Sequence, residues 1–265
     1  MTEQWLKVSP ECRYVLGMRI HATSYKRATR QILEWARAGV GRSVVCATVH
    51  MVMECFDRPE FQRQINSADM VTSDGMPLVW ALRRLGVSGA ERVYGPGLTE
   101  ILLEHSEREG IRIGFLGGTP ETLTLLSAKV RGRYPALAVG FSFSPPFRPL
   151  SPEEDRALLE QIRSSGVQIL FAGLGCPKQE DWVIRHRPDL RCVMVAVGAA
   201  FDFLAGTKRQ APRWMQASGL EWVFRLANEP GRLWRRYLLA NPRFIWHFAG
   251  QLLDRGAGVT RGEIL

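Results

Sequence analysis

The chain has 265 residues, 46% hydrophobic and 23% charged, with a net charge of +9. This is ordinary globular composition, long enough for one large domain or one domain with an appendage, and the excess positive charge implies an anionic partner: nucleic acid, membrane or a phosphorylated ligand. No apolar run approaches the roughly 18 residues of a membrane span, and "MTEQWLKVSPECRYVLG" has no apolar signal region, so a cytoplasmic chain with at most peripheral membrane contact is expected.

Short β-branched runs alternate with amphipathic stretches. "SVVCAT" (43–48) reads as a buried strand, followed by helical patterning from Met51 to Ser67. "ADMVTSD" (68–74) is strand-like and ends at Asp74-Gly75. "MPLVWALRRLG" predicts a helix stopped by Gly86, and another opens at Pro96. "IRIGFLGG" (111–118) is a strand ending in glycines, with Thr119 as N-cap and Pro120 at the first position of the next helix. "ALAVGFSFS" (136–144) is a strand, "PPFRPL" a loop, and Ser151-Pro152-Glu153-Glu154 a helix start. "VQILFAGLG" (167–175) and "CVMVAVGAA" (192–200) are two further strands around the helical "PKQEDWVIRH". The rhythm predicts an α/β class: a Rossmann-like sandwich with a mainly parallel sheet, core 1–206, and a helical basic appendage over 207–265.

The charge is concentrated in that appendage. Thr207 to Trp246 holds eight Lys/Arg and two acids, Glu221 and Glu229, a net +6 that leaves +3 for the rest. Four of the eight Trp lie there too. On a helical wheel of about 100° per residue, Arg232, Arg235 and Arg236 cluster, while Trp234, Tyr237 and Leu238 fall opposite. That is a basic amphipathic helix with interfacial aromatics, suited to an anionic membrane surface. A docked helix with a solvated Arg face is the plainer reading, and the Trp-rich face argues against nucleic acid. Pro230 and Pro242 are expected to break the tail into short helices.

Three loops fall where strands end: "TSDG" (72–75), "LGGTPE" (116–121) and "GLGCPKQE" (173–180). In open parallel sheets the ligand crevice lies at the strands' carboxyl ends. Each loop alone is an ordinary tight turn, but together they point to a nucleotide or phosphate ligand. None has the GxGxxG or P-loop pattern, so NAD and ATP are poorly supported. Asp74 is a general base if it faces the ligand, or an Asp-Gly turn former if it does not. Asp202, between Phe201 and Phe203, needs a polar partner: a nucleoside donor or a nearby cation. His50 is unassigned, and Cys176 reads as structural. The five cysteines show no metal-ligand spacing, no D-x-D metal motif is visible, and no metal or cofactor is expected.

The segments "ADMVTSDGMPLVWALRRLG…ERVYGPGL", "GFLGGTPET", "GLGCPKQEDWV" and "VGAAFDFLAGTKRQAPRWMQASGLEWVFRLANEPGRLWRRY" resemble the WecG/TagA/CpsF glycosyltransferases over roughly residues 14–246. The resemblance implies a bacterial enzyme that transfers a hexose from a UDP-sugar (UDP-Glc, UDP-ManNAc or UDP-ManNAcA type) to a polyprenyl-diphosphate-linked sugar for surface polysaccharide. It implies a β-linkage formed with inversion and without a metal, at the inner face of the cell membrane. By the same resemblance Asp74 is the base and Arg92 a basic active-site residue. Gln179 and Asp202 match family positions, and with Thr48 and the strand-end loop residues Gly117, Gly118, Gly173, Gly175 and Lys178 they are expected to surround the donor. Arg225, Arg232 and Arg235 match appendage arginines that receive the acceptor diphosphate. Cys46 and Thr48 stand where many members carry threonine and asparagine. A homo-oligomer is compatible with the sequence. The competing readings are a nucleotide-sugar-modifying enzyme with a soluble substrate and a non-catalytic membrane or nucleic-acid adaptor.

Overall fold

The computed structural model describes residues 11–256. A hairpin, β1 (Cys12–Val15) and β2 (Met18–His21), precedes α1 (Tyr25–Ala38). Then follow β3 (Arg42–Ala47), α2 (Val49–Asp57), α3 (Pro59–Asn66), β4 (Met70–Ser73), α4 (Met76–Arg84) and α5 (Gly95–Glu109). Next come β5 (Ile113–Gly117), α6 (Pro120–Arg133), β6 (Val139–Phe143), α7 (Pro152–Ser164), β7 (Ile169–Gly173), α8 (Lys178–Arg185) and β8 (Val193–Ala196). The helices α9 (Ala200–Ala205), α10 (Arg213–Ala217), α11 (Glu221–Asn228) and α12 (Pro230–Gly256) complete the chain. β3 to β8 form one six-stranded sheet of order β4-β3-β8-β7-β5-β6, with every pair parallel. The predicted Rossmann-like sandwich is present.

Helices cover both faces of this sheet, which explains why its central strands read as unbroken apolar runs. Along β3, Val44 and Cys46 enter one core while Val45 and Ala47 enter the other; β7 divides Ile169 and Phe171 from Leu170 and Ala172 in the same way. The caps follow the sequence. Thr119 accepts from the Thr122 amide, and Ser151 with Glu154 forms a reciprocal capping box.

Four features depart from the expectations. The β1–β2 hairpin turns through Leu16 and Gly17, both at positive φ, and His21 Nδ1 accepts from the Val71 amide at 2.9 Å, covering the outer edge of β4. Burial pushes His21 down to about 4, so it remains a neutral acceptor near pH 7. The helical stretch after β3 is two helices, divided at Arg58-Pro59. The last predicted strand ends at Ala196, and "AFDFLA" is the helix α9. Pro242 does not break the tail: it lies inside the continuous 27-residue α12. Its missing N–H removes one helical bond, but the turns on either side are held to the core by Leu233, Ala240, Phe244 and Phe248, all buried.

Helix α12 lies along α2. Ala240, Phe244 and Phe248 belong to the same apolar cluster as Val52, Met53 and Cys55 of α2. Arg243 pairs with both carboxylate oxygens of Asp57 at 3.0 and 2.7 Å, and the Gln251 side chain bonds the hairpin at Leu16 N and Tyr14 O. The opposite face exposes Trp234, Leu238, Leu239, Ile245, Trp246 and Leu253. Tyr237 is not on that face; it turns inward, 6.1 Å from the Trp222 ring. The side chain of Arg236 lies outside the described residues. Among the described residues no helix is long and apolar enough to cross a membrane, and the five cysteines form no disulfide.

Because Phe244 stacks on Phe248 within the core, Phe244→Ala is expected to destabilise the whole protein by about 3–5 kcal/mol in urea unfolding. A loss below about 1 kcal/mol would mean that α12 is only loosely applied to the core.

Candidate active site

The carboxyl ends of the parallel strands open into a cavity of about 930 Å³. All the sequence-predicted site residues line it except Arg92 and Arg235. Arg92 lines a second, smaller cavity of about 80 Å³, with His50, Gln216, Glu221, Trp222, Tyr237 and Asn241. Thr48, Asp74 and Arg225 line both. Asp74 therefore stands on the wall between a large pocket and a small one. Arg235 lines neither; its guanidinium sits over the Trp234 ring at 5.2 Å.

Asp74 follows β4 directly, and its amide continues the parallel ladder by donating to Ala47 O at 3.0 Å. One carboxylate oxygen, Oδ2, accepts from the Gly95 amide at 2.9 Å. The other, Oδ1, lies 3.8 Å from Arg92 Nη2, too far for a hydrogen bond. Arg92 is occupied elsewhere. Its Nη2 donates to Glu221 Oε2 at 2.6 Å, its Nε donates to the Asp74 backbone carbonyl, and its guanidinium lies 4.2 Å from the centre of the Tyr94 ring. Burial raises the Asp74 carboxyl to about 6, against the opposing pull of Arg92 and the Gly95 amide. A carboxylate near neutrality is suited to take a proton.

The glycine loops are built partly for one another. Gly117 has φ +114, and a Cβ there would meet Gly173 O at 2.5 Å. A Cβ on Gly173 would meet the Phe201 ring at 2.8 Å. The Gly118 amide donates to Gly173 O, and those of Gly175 and Gly198 both donate to Gln179 Oε1, at 3.1 and 3.2 Å. Gln179 is 3% exposed, and its amide nitrogen donates to Glu180 at 2.7 Å. It thus ties the loop after β7 to the loop after β8. Thr48 caps α2, accepting from Met51 N at 3.4 Å.

Asp202 is not buried in apolar surroundings. Because "AFDFLA" is helical, Phe201 enters the core while Asp202 turns sideways to the cavity wall. There Lys208 Nζ meets its Oδ2 at 3.1 Å. Lys208 also meets Glu229 at 3.2 Å, and Glu229 meets Arg232 at 2.6 Å. A charge chain thus runs from α9 to the start of α12. Arg225 is half-buried, its buried Nε has no protein partner, and its guanidinium lies 5.9 Å from the Phe203 ring centre. With Lys178 and Arg232 it gives the large cavity a cationic wall, which suits a diphosphate. Among the described residues no group of His, Cys, Asp and Glu could hold a metal ion.

A model of the glycosyl transferase WecG/TagA/CpsF family matches residues 13–258. The chain belongs to this family. This transferase therefore carries a sugar from a donor to an acceptor. Glu221 and Tyr94 are site neighbours to which no role was assigned from sequence. Glu221 carried a legible signal: it is one of only two acids between Thr207 and Trp246, and both are paired with cations.

Since the folded state raises Asp74 from 3.8 to about 6, it favours the protonated acid. The stability this contributes is fully present below about pH 4 and is lost as pH rises through about 6. Asp74→Asn removes that titration. Its melting temperature relative to wild type is expected to be more favourable at about pH 8 than at about pH 4, by the equivalent of roughly 1–3 kcal/mol. Calorimetry showing the same difference at both pH values would contradict a raised pKa.

Proposed function

We propose that this transferase is an inverting hexosyltransferase. It moves a hexose from a UDP-sugar to a polyprenyl-diphosphate-linked sugar in bacterial surface-polysaccharide synthesis, at the inner face of the cell membrane. The observation that carries the reading is Asp74, a near-neutral carboxylate on the wall between a large cation-lined cavity and a small one. The donor occupies the large cavity, and the acceptor hydroxyl approaches from the small one. Asp74 takes the hydroxyl proton as the oxygen attacks the anomeric carbon. The bond from that carbon to the diphosphate oxygen breaks, and UDP leaves with the electron pair. Lys178 and Arg225 offset its growing charge. The amides of Gly118, Gly175 and Gly198 already have protein partners, so side-chain cations carry more of this task than loop amides. In this reading they also stand in for a metal, and turnover should persist in excess chelator.

The appendage over 207–265 has two tasks in this reading. Arg225, which lines both cavities, is shared between the leaving UDP and the acceptor diphosphate, and Arg232 meets that diphosphate from the large-cavity side. The outward face of α12 rests on the bilayer, with Trp234, Ile245 and Trp246 among its exposed apolar residues. Arg235 belongs with that face, near lipid headgroups. Residues 257–265 lie outside the described residues.

Asp74→Asn is expected to lower kcat about 10²–10⁴-fold with little change in UDP affinity, since the change is nearly isosteric and removes basicity. UDP release with a polyprenyl-diphosphate-sugar acceptor measures this, and near wild-type kcat would remove Asp74 from the chemistry. UDP release without any lipid acceptor would favour a soluble substrate instead. Arg225→Ala and Arg232→Ala should each cut transfer sharply. Arg235→Ala should chiefly weaken sedimentation with anionic liposomes, by about 1 kcal/mol at low salt. Equal transfer defects in all three would restore Arg235 to the diphosphate site.

A further inference from the structure

Arg92 joins the carboxyl edge of the sheet to the appendage. Glu221, its closest carboxylate, is the first residue of α11, 129 positions along the chain. The two side chains are 15% and 14% exposed, so water screens their pairing little. Arg92 meets Glu221 at 2.6 Å and stays 3.8 Å from Asp74. An arginine given over fully to Asp74 would hold that carboxylate ionised and weakly basic. The side-chain geometry prevents this, and the side chain that prevents it belongs to the appendage.

We propose that Glu221 is a positioning residue for sugar transfer: by holding Arg92 away from Asp74 it sets the basicity of that carboxylate and makes the base competent only when α11 is docked. This rests on the reading of Asp74 as the base. Loss of the Glu221 charge acts twice in one direction. It removes a negative neighbour that raises Asp74, and it frees Arg92 to approach Oδ1. The other charged or titratable groups around Asp74 are Arg225 from α11, Tyr25 from α1, Tyr94 before α5, Cys46 from β3 and His50 in α2. Burial pushes both tyrosines and the Cys46 thiol upward, so they stay neutral near pH 7. His50 also lines the small cavity beside Asp74 and is itself titratable, so it needs its own control. Glu221 lines only the small cavity, so donor binding should not depend on it directly.

The test uses the full chain as wild type, Glu221→Gln, Glu221→Asp and His50→Gln. Two readouts are followed: the pH dependence of kcat for UDP release with a polyprenyl-diphosphate-sugar acceptor, and the ¹³C carboxyl titration of Asp74, assigned by its loss in Asp74→Asn. In Glu221→Gln the Asp74 midpoint and the acidic limb of kcat should both move down by about one pH unit. The plateau should fall about tenfold or more, with UDP affinity within about twofold of wild type. Glu221→Asp, which keeps the charge, should recover most of the shift, and His50→Gln should leave the Asp74 midpoint in place. A Glu221→Gln protein that loses rate with an unmoved Asp74 midpoint would overturn the inference and leave Glu221 a structural staple. The carboxyl titration reads out without turnover. If wild type transfers none of the sugars offered while the midpoint still shifts, it is the glycosyl-transfer reading that fails.

Discussion

One arginine between two carboxylates governs the arrangement of this site. Arg92 cannot give its full charge to both Asp74 and Glu221, and its short contact is with Glu221. Asp74 keeps a hydrogen bond from the Gly95 amide and an ion pair with Arg92 at 3.8 Å, too long for a hydrogen bond, in surroundings dry enough to raise it toward neutrality. Everything else about the site maintains that imbalance. The parallel ladder fixes Asp74 at the end of β4, Tyr94 supports the guanidinium from below, and the docked tail brings Glu221.

The appendage and the core are accordingly one mechanical unit. Phe244 and Phe248 sit in the apolar cluster of α2, and Arg243 clasps Asp57. At the other end, the chain of charges from Asp202 through Lys208 and Glu229 to Arg232 ties the tail to the cavity wall. A tail fixed at both ends holds Arg225 and Glu221 beside Asp74 and turns its second apolar face outward. Trp246 and Ile245 on that face are exposed, and in the proposed reading they meet the headgroup layer.

Much of this was legible in the sequence because it is local. Strand patterns located the carboxyl edge, and with it Asp74 and the glycine loops. Caps at Thr119 and Ser151 fixed helix starts. What escaped notice needed partners far along the chain. Arg92 and Glu221 are 129 residues apart, and no periodicity links them. The hairpin was missed because its strands are only four residues long and interrupted by Arg13 and Arg19. "CVMVAVGAA" read as one strand because β8 and the start of α9 are both buried, and burial erases the difference in period. Local propensity predicts a break at Pro242 because it carries no information about the core packing that spans it.

The most direct measurement is a crystal structure of the full chain with UDP. The nucleotide is expected in the large cavity, with diphosphate oxygens within hydrogen-bonding reach of Lys178 or Arg225 and Asp74 beyond the terminal phosphate, where the sugar would lie. UDP seated away from these cations, or with its nucleoside end against Asp74, would contradict that placement.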